Sequence, residues 1–170
     1  MADKAADRLV WTVECMNVRP ADTVLEIGCG YGVCVDLIRE KLSAPTIVAV
    51  DRSPKMVAAA RRRNPDAEIV VAEFAELRLR RRFDKILAIH VPVLLRGDPT
   101  TELQVVRDHL QPSGRLYVGY QPLDASTVDA EQARLESVLT DRGFAVQTRR
   151  ADLQSGTTLC LIAAPTRPIR

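Results

Sequence analysis

The 170 residues suit one domain with one proper core, and 46% hydrophobic with 27% charged residues is an ordinary globular balance. A net charge of +2 creates no strong field toward nucleic acid or an acidic membrane, and 4% aromatic content argues against a base-stacking single-strand binder. Four cysteines without a C-x-x-C pair, and only two histidines, argue against a zinc site, so no metal is expected.

The chain opens with Asp3, Lys4, Asp7 and Arg8, without the apolar segment of a secretory signal. No apolar run approaches membrane-spanning length. A cytoplasmic protein with reduced thiols at Cys15, Cys29, Cys34 and Cys160 is the expectation. Residues 4–18 read as an amphipathic helix, with Leu9, Val13 and Met16 on one face. Residues 1–20 are therefore expected to be an N-terminal helix packed on the core. Arg19-Pro20-Ala21-Asp22 ends it, and a strand follows at 23–27. A helix over about 31–42 closes near Ser43-Ala44-Pro45 and leads to an apolar strand, Thr46 to Val50, of the kind buried on both faces of a parallel sheet. Ser53-Pro54 supplies a cap and a first-turn proline for the next helix.

Further strands are expected at 68–71 and 85–89, and a helix over 99–110. Pro112-Ser113-Gly114 then turns into a strand over 115–120. A helix over 128–141 stops at Gly143, runs at 144–148 and 157–162 flank a turn at Gly156, and residues 166–170 read as a tail. Strands alternating with helices, closed by a hairpin, argue an α/β three-layer sandwich in a single domain over 21–165.

The most informative stretch is Val24-Leu25-Glu26-Ile27-Gly28-Cys29-Gly30-Tyr31-Gly32. A strand, a glycine-rich turn and a helix start together make a nucleotide-type pocket. Val33 stands where the dinucleotide fingerprint G-x-G-x-x-G needs its third glycine, which disfavours an NAD enzyme. Asp51 ends the second strand about 20 residues past the glycines, where an acid can bind a ribose diol. The alternative is a helix cap, a role that Ser53 fills. Met56 can pack on a base or in the core. Glu73 and Phe74 follow the third strand, and a solvated loop is the alternative there. His90 ends the fourth strand and can act as a general base or merely line the pocket. His109 reads as a helix-end residue favourable to the dipole. The arginines at 61–63 and 78–82 read as a solvated face rather than a phosphate grip.

E-x-G-x-G-x-G at 26–32 resembles motif I of the class I S-adenosylmethionine-dependent methyltransferases. Asp51 matches their second acid. Val71-Ala72-Glu73-Phe74-Ala75-Glu76-Leu77 is similar to their G-D-A-E-x-L segment, with Ala72, Glu73 and Phe74 departing from it. Phe83-Asp84 through Pro92 resembles motif IV, and Leu110 to Val118 the L-x-P-G-G-x-L-x-V turn, with Ser113 for the first glycine. The resemblance implies a Rossmann-like methyltransferase fold with a seven-stranded, mostly parallel sheet whose last strand is antiparallel. It implies S-adenosyl-L-methionine as cofactor, held by Glu26, Gly28, Cys29, Gly30, Asp51, Arg52, Met56, Glu73 and Phe74. His90 and the Tyr120-Gln121 loop would face the methyl acceptor, with His90 as the candidate catalytic residue. Trp11 and Tyr31 are candidate lid groups. A small-molecule acceptor is expected rather than nucleic acid. The rival reading is an inactive, methyltransferase-like cofactor-binding or regulatory protein.

Overall fold

The computed structural model describes residues 6–44 and 46–166. The expected helix start at Lys4, the helix-closing Pro45 and all of the expected tail except Thr166 lie outside the described residues. Seven strands form one sheet: β1 (Val24–Ile27), β2 (Ile47–Asp51), β3 (Glu68–Val71), β4 (Phe83–Ile89), β5 (Leu110–Tyr120), β6 (Phe144–Leu153) and β7 (Gly156–Pro165). Their order is β3-β2-β1-β4-β5-β7-β6. The first five in that order are parallel, and β7 runs antiparallel to both neighbours. This is the mostly parallel sheet with an antiparallel last strand that the sequence implied.

Alternation along the strands divides the core in two. Leu25, Ile27, Val48, Val50, Ile86 and Ala88 face one way and join Leu103, Val106, Leu135 and Leu139. Those four come from α5 (Thr100–His109) and α6 (Val128–Asp141). Val24, Ile47, Ala49 and Leu87 face the other way and join Val13, Met16, Val35, Ile38, Val57 and Ala60. These belong to α1 (Asp7–Met16), α2 (Val33–Arg39) and α3 (Pro54–Arg63). Glu26 alternates with Leu25 and so shares the face of Val24, which directs its carboxyl to the α1–α2 side. Ser53 caps α3 by accepting from the Met56 N–H at 3.4 Å, with Pro54 in the first turn.

Three local departures from the sequence reading have physical causes. Pro92 starts a short helix, α4 (Pro92–Arg96), that was not foreseen. It is too brief to show a helical period, although proline at a first position is a start signal. The expected turn at 112–114 is a looped-out section within β5: pairing passes from Phe83↔Leu110 to Lys85↔Arg115. β6 and β7 are ten residues each, longer than expected. β6 is the sheet edge and alternates exposed polar residues with half-buried ones, which mutes its hydrophobic signal.

Two polar ties hold the sheet edge where β1 and β4 begin. The Thr23 N–H and hydroxyl both donate to Asp84 Oδ2, at 2.8 and 2.7 Å, which gives Asp84 a structural task. Lys85 and Asp22 form a largely buried ion pair. His109 departs from its sequence reading. It is buried rather than displayed at a helix end: Nε2 accepts from the Leu79 N–H at 2.9 Å, and Nδ1 lies 2.7 Å from the Val105 carbonyl, to which it donates in that tautomer. The imidazole thus pins the loop before β4 to α5.

His109→Leu keeps the volume but orphans the Leu79 N–H and frees the Val105 carbonyl. A loss of about 1–3 kcal/mol in unfolding free energy is expected, read as a lower urea midpoint at unchanged slope. An unaltered midpoint would show that the imidazole bridge is idle.

Candidate functional site

The carboxyl ends of β1, β2, β4 and β5 meet at one edge, and the strand order reverses between β1 and β4. Open α/β sheets bind ligands at such a switch point. After β1 the chain folds back onto the end of β2. The N–H groups of Gly28 and Cys29 both donate to the Val50 carbonyl, at 2.8 and 3.0 Å, and the Gly30 N–H donates to Asp51 Oδ2 at 2.9 Å. This path needs φ of +73°, +51° and +76° at Gly28, Gly30 and Gly32. A Cβ at Gly30 would meet nothing within 4 Å, so the loop there borders open space. A Cβ at Gly32 would come within 2.8 Å of Asn64 Nδ2 and 3.0 Å of the Ala60 Cβ. The third glycine therefore serves close packing of the loop on α3, where buried Asn64 donates to the Gly32 carbonyl at 3.0 Å.

Two carboxyls stand beside this loop in opposite states. Asp51 is half-buried, and both its oxygens accept from backbone: Oδ2 from Gly30, Oδ1 from the Ser53 N–H at 2.9 Å. Glu26 is 4% exposed, and its Oε2 is buried with no partner. Burial pushes the Glu26 carboxyl up to about 8; a hydrogen bond from Cys34 opposes the shift and the Asp51 charge adds to it. Burial, then Glu26 and Asp51, pushes the Cys29 thiol up to about 12, so it is no nucleophile. All four cysteines are buried and free.

Two cavities adjoin here and share Gly28, Ile89 and His90. The first, about 440 Å³, is walled by Asp51, Arg52, Glu73, Phe74, Val91 and Glu102, among others. The second, about 400 Å³, is walled by Arg8, Glu26, Cys29, Tyr31, Gln121 and Leu123, among others. Gly30 joins the site through Asp51. Met56 lines neither cavity. Trp11 is half-buried against the α1–α3 core, whereas Tyr31 is 59% exposed at the second cavity.

His90 stands where both cavities meet, in the left-handed region at φ 52°. Its N–H donates to the Gly119 carbonyl at 3.0 Å, and its ring meets Tyr120 edge-on at 5.5 Å. Nε2 accepts from the Gln121 N–H at 3.3 Å, so the lone pair a base would use already has a donor. Burial, with the Arg8 charge behind it, lowers the imidazole pKa and keeps the ring neutral near pH 7.

Sequence reasoning missed the roof of the site. Asp7 Oδ2 accepts from the Ser155 N–H at 3.1 Å, and the Ser155 hydroxyl donates to Asp7 Oδ1. Gln121 Nε2 donates to Ser155 Oγ at 2.9 Å. The α1 N-terminus, the β6–β7 turn and the loop after β5 are thereby joined above the second cavity. These contacts span up to 148 positions in sequence, so no local signal marks them. None of the clustered arginines lines either cavity. Arg61 donates twice to the Ile69 carbonyl, Arg63 pairs with Asp36 at 2.9 Å, and Arg81 pairs with Glu68.

Residues 24–114 match the family model described as a methyltransferase domain. A 37.1 kDa protein in transposon TN4556 of Streptomyces fradiae is 30% identical over 127 residues, covering 69% of this chain and 35% of its own length. Malonyl-[acyl-carrier protein] O-methyltransferase of Anoxybacillus flavithermus is 36% identical over 73 residues, covering 42% of this chain and 28% of its own. The chain thus spans roughly a third of the length of these curated relatives. The glycopeptide N-methyltransferase MtfA, solved in complex with S-adenosyl-L-methionine, superposes with a TM-score of 0.75 at 16% identity, covering 96% of both chains, a likeness of fold.

The raised Glu26 pKa fixes a pH signature. The folded chain holds this proton to about 8, whereas an unperturbed glutamate loses it near 4.5. The folded state therefore binds more protons across that window, and stability is lost as pH rises through it, by up to about 1.4 kcal/mol per unit. Denaturant unfolding of the parent should carry this decline between pH 5 and 8, and Glu26→Gln should remove it. Parallel pH curves for the two proteins would contradict the assignment.

Proposed function

This chain belongs to the class I S-adenosylmethionine-dependent methyltransferases, and on that premise we propose that it methylates a small molecule bound in the second cavity, beside His90. The observation that carries the reading is the buried, unpartnered Oε2 of Glu26 at the glycine loop. An orphaned carboxyl oxygen in a dry site calls for a cation, and the cofactor's amino-acid end carries an ammonium. The residues present fit the cofactor. Glu26 with the Gly28-Cys29-Gly30 backbone would hold the amino-acid end. Asp51, its oxygens fixed by two N–H groups, keeps lone pairs for a ribose diol. Arg52, Glu73 and Phe74 line the far end of the first cavity, where the base would lie. Met56, which lines neither cavity, is given no role in this reading.

The cofactor supplies a methyl group already activated by its sulfonium charge. The protein's share is alignment and exclusion of water, which is catalysis by proximity and orientation. His90, neutral and with Nε2 engaged, serves on this reading to shape the acceptor side and hold the Gln121 loop, the pocket-lining alternative to a base. A small acceptor is favoured because the second cavity is of ligand size and the arginine clusters lie on another face. The similar malonyl-[acyl-carrier protein] O-methyltransferase is named for an oxygen acceptor borne on a carrier protein, so it supports the oxygen and not the size of the acceptor.

S-adenosylhomocysteine should raise the melting temperature, since a ligand selective for the folded state stabilises it by mass action. Asp51→Asn should weaken calorimetric affinity by roughly 1.5–3 kcal/mol, the worth of a hydrogen bond to a charged group. Absence of any shift at millimolar ligand would end the reading.

Pairing with an ammonium should ionise Glu26 and expel its proton. Calorimetric titration near pH 6.5, in buffers of different ionisation enthalpy, should register close to one proton released per site, falling off above about pH 8. Glu26→Gln should release none. Equal release from both proteins would place the ammonium elsewhere.

A further inference from the structure

Among the described residues, the second cavity holds one permanent cation, Arg8. Its guanidinium has no hydrogen bond or ion pair there, although its backbone N–H donates to Asp7 Oδ1 at 2.8 Å. The adjacent carboxylate is committed elsewhere, because Asp7 is held by the N–H and hydroxyl of Ser155. The other acid on the wall, Glu26, is neutral in the ligand-free fold and is paired with the cofactor's ammonium on the reading above. The Asp7 charge is felt by Arg8, but no acid is bonded to the half-buried guanidinium, whose planar fork is left to match an incoming carboxylate.

A second, independent observation concerns the rim. The large apolar side chains exposed on the described surface are Tyr31, Val71 and Leu123. Two of the three, Tyr31 at 59% and Leu123 fully exposed, stand at this one cavity, with half-buried Leu9 beside Arg8. Apolar groups gathered around a cleft are covered when its ligand binds. No wall residue offers a base that is both ionised and free: the Nε2 of His90 has a donor, and the free oxygen of Glu26 is taken by the cofactor's ammonium on the reading above. The acceptor must therefore arrive with its lone pair ready.

We propose that the methyl acceptor is an apolar molecule bearing a carboxylate, with the carboxylate on Arg8 and the apolar body against Tyr31 and Leu123. This rests on the methyltransferase reading above. A carboxylate oxygen forms the new C–O bond with its own lone pair, the pair of the broken bond returns to the donor sulfur, and no proton has to be removed. The product is a neutral ester. It has lost the charge that held it to Arg8, so methylation itself weakens retention.

The test titrates octanoate and its neutral analogue octanamide onto the protein loaded with S-adenosylhomocysteine. Octanoate should bind at least about tenfold more tightly than octanamide, the advantage of a charge-assisted pair over a neutral contact. Arg8→Gln should bring octanoate down to the octanamide level, with Arg8→Lys recovering part of the difference. Leu123→Asp, on an exposed side chain, should weaken octanoate while leaving S-adenosylhomocysteine affinity unchanged. Equal binding of the two probes, or octanoate binding untouched by Arg8→Gln, would overturn the proposal. So would a loss of S-adenosylhomocysteine affinity in Arg8→Gln with 5′-methylthioadenosine affinity unchanged, because Arg8 would then hold the cofactor's own carboxylate. Failure of the parent to bind S-adenosylhomocysteine at all is a different result and removes the methyltransferase reading.

Discussion

The fold-back of residues 28–30 onto the end of β2 is the constraint on which the site depends. One carbonyl, Val50, and one carboxylate, Asp51, collect three successive N–H groups of the glycine loop. The loop can reach them only through left-handed backbone at Gly28 and Gly30. The same bonds fix Asp51, whose other oxygen is held by the Ser53 N–H at the start of α3. Forming the turn and offering lone pairs to a ribose, as proposed, are therefore compatible tasks for Asp51. Holding the turn leaves its remaining lone pairs in a fixed direction, and a fixed acceptor loses less entropy on binding a diol.

The roof is built by long-range contacts of a different kind. Gly119 on β5 leaves no room for a Cβ, which would meet Ile89 Cγ1 at 2.9 Å and Thr12 Cγ2 at 3.0 Å. That absence lets α1 settle over the end of the sheet, while the Asp7–Ser155–Gln121 bonds hold its first turn above the second cavity. Arg8 and Leu9 enter the site because of this placement. The N-terminal helix is thus part of the cavity wall as well as of the core.

Legibility followed the locality of each signal. The strand–glycine–helix segment, the acid at the end of β2, the Ser53-Pro54 start and the fold class could be read because each rests on near neighbours in sequence. His109 could not: a buried imidazole bridging residues 79 and 105 has the same local pattern as an exposed one near a helix end. Arg8 read only as one of the charges that open the chain, since its placement depends on Asp7 being held by a serine on a distant hairpin. α4 and the polar edge strand β6 escaped because both lack the apolar periodicity on which such readings rest.

Glu26 and Asp51 show how environment assigns chemistry to one residue type. They flank the same loop, yet Asp51 is met by two backbone donors and Glu26 sits in apolar surroundings with one oxygen bare. Neutralising Glu26 costs the site little, because a protonated carboxyl avoids the larger penalty of a buried lone charge. It also keeps two negative charges from facing each other across the glycine turn. On the proposed reading, an entering ammonium would reverse the balance, offsetting the cost of ionising Glu26 at close range in a dry site where the attraction is strong. The unpartnered oxygen is thus a destabilising feature of the ligand-free fold, and on the proposed reading it would be a source of affinity in the bound one, the pattern expected of a binding group rather than of a structural one.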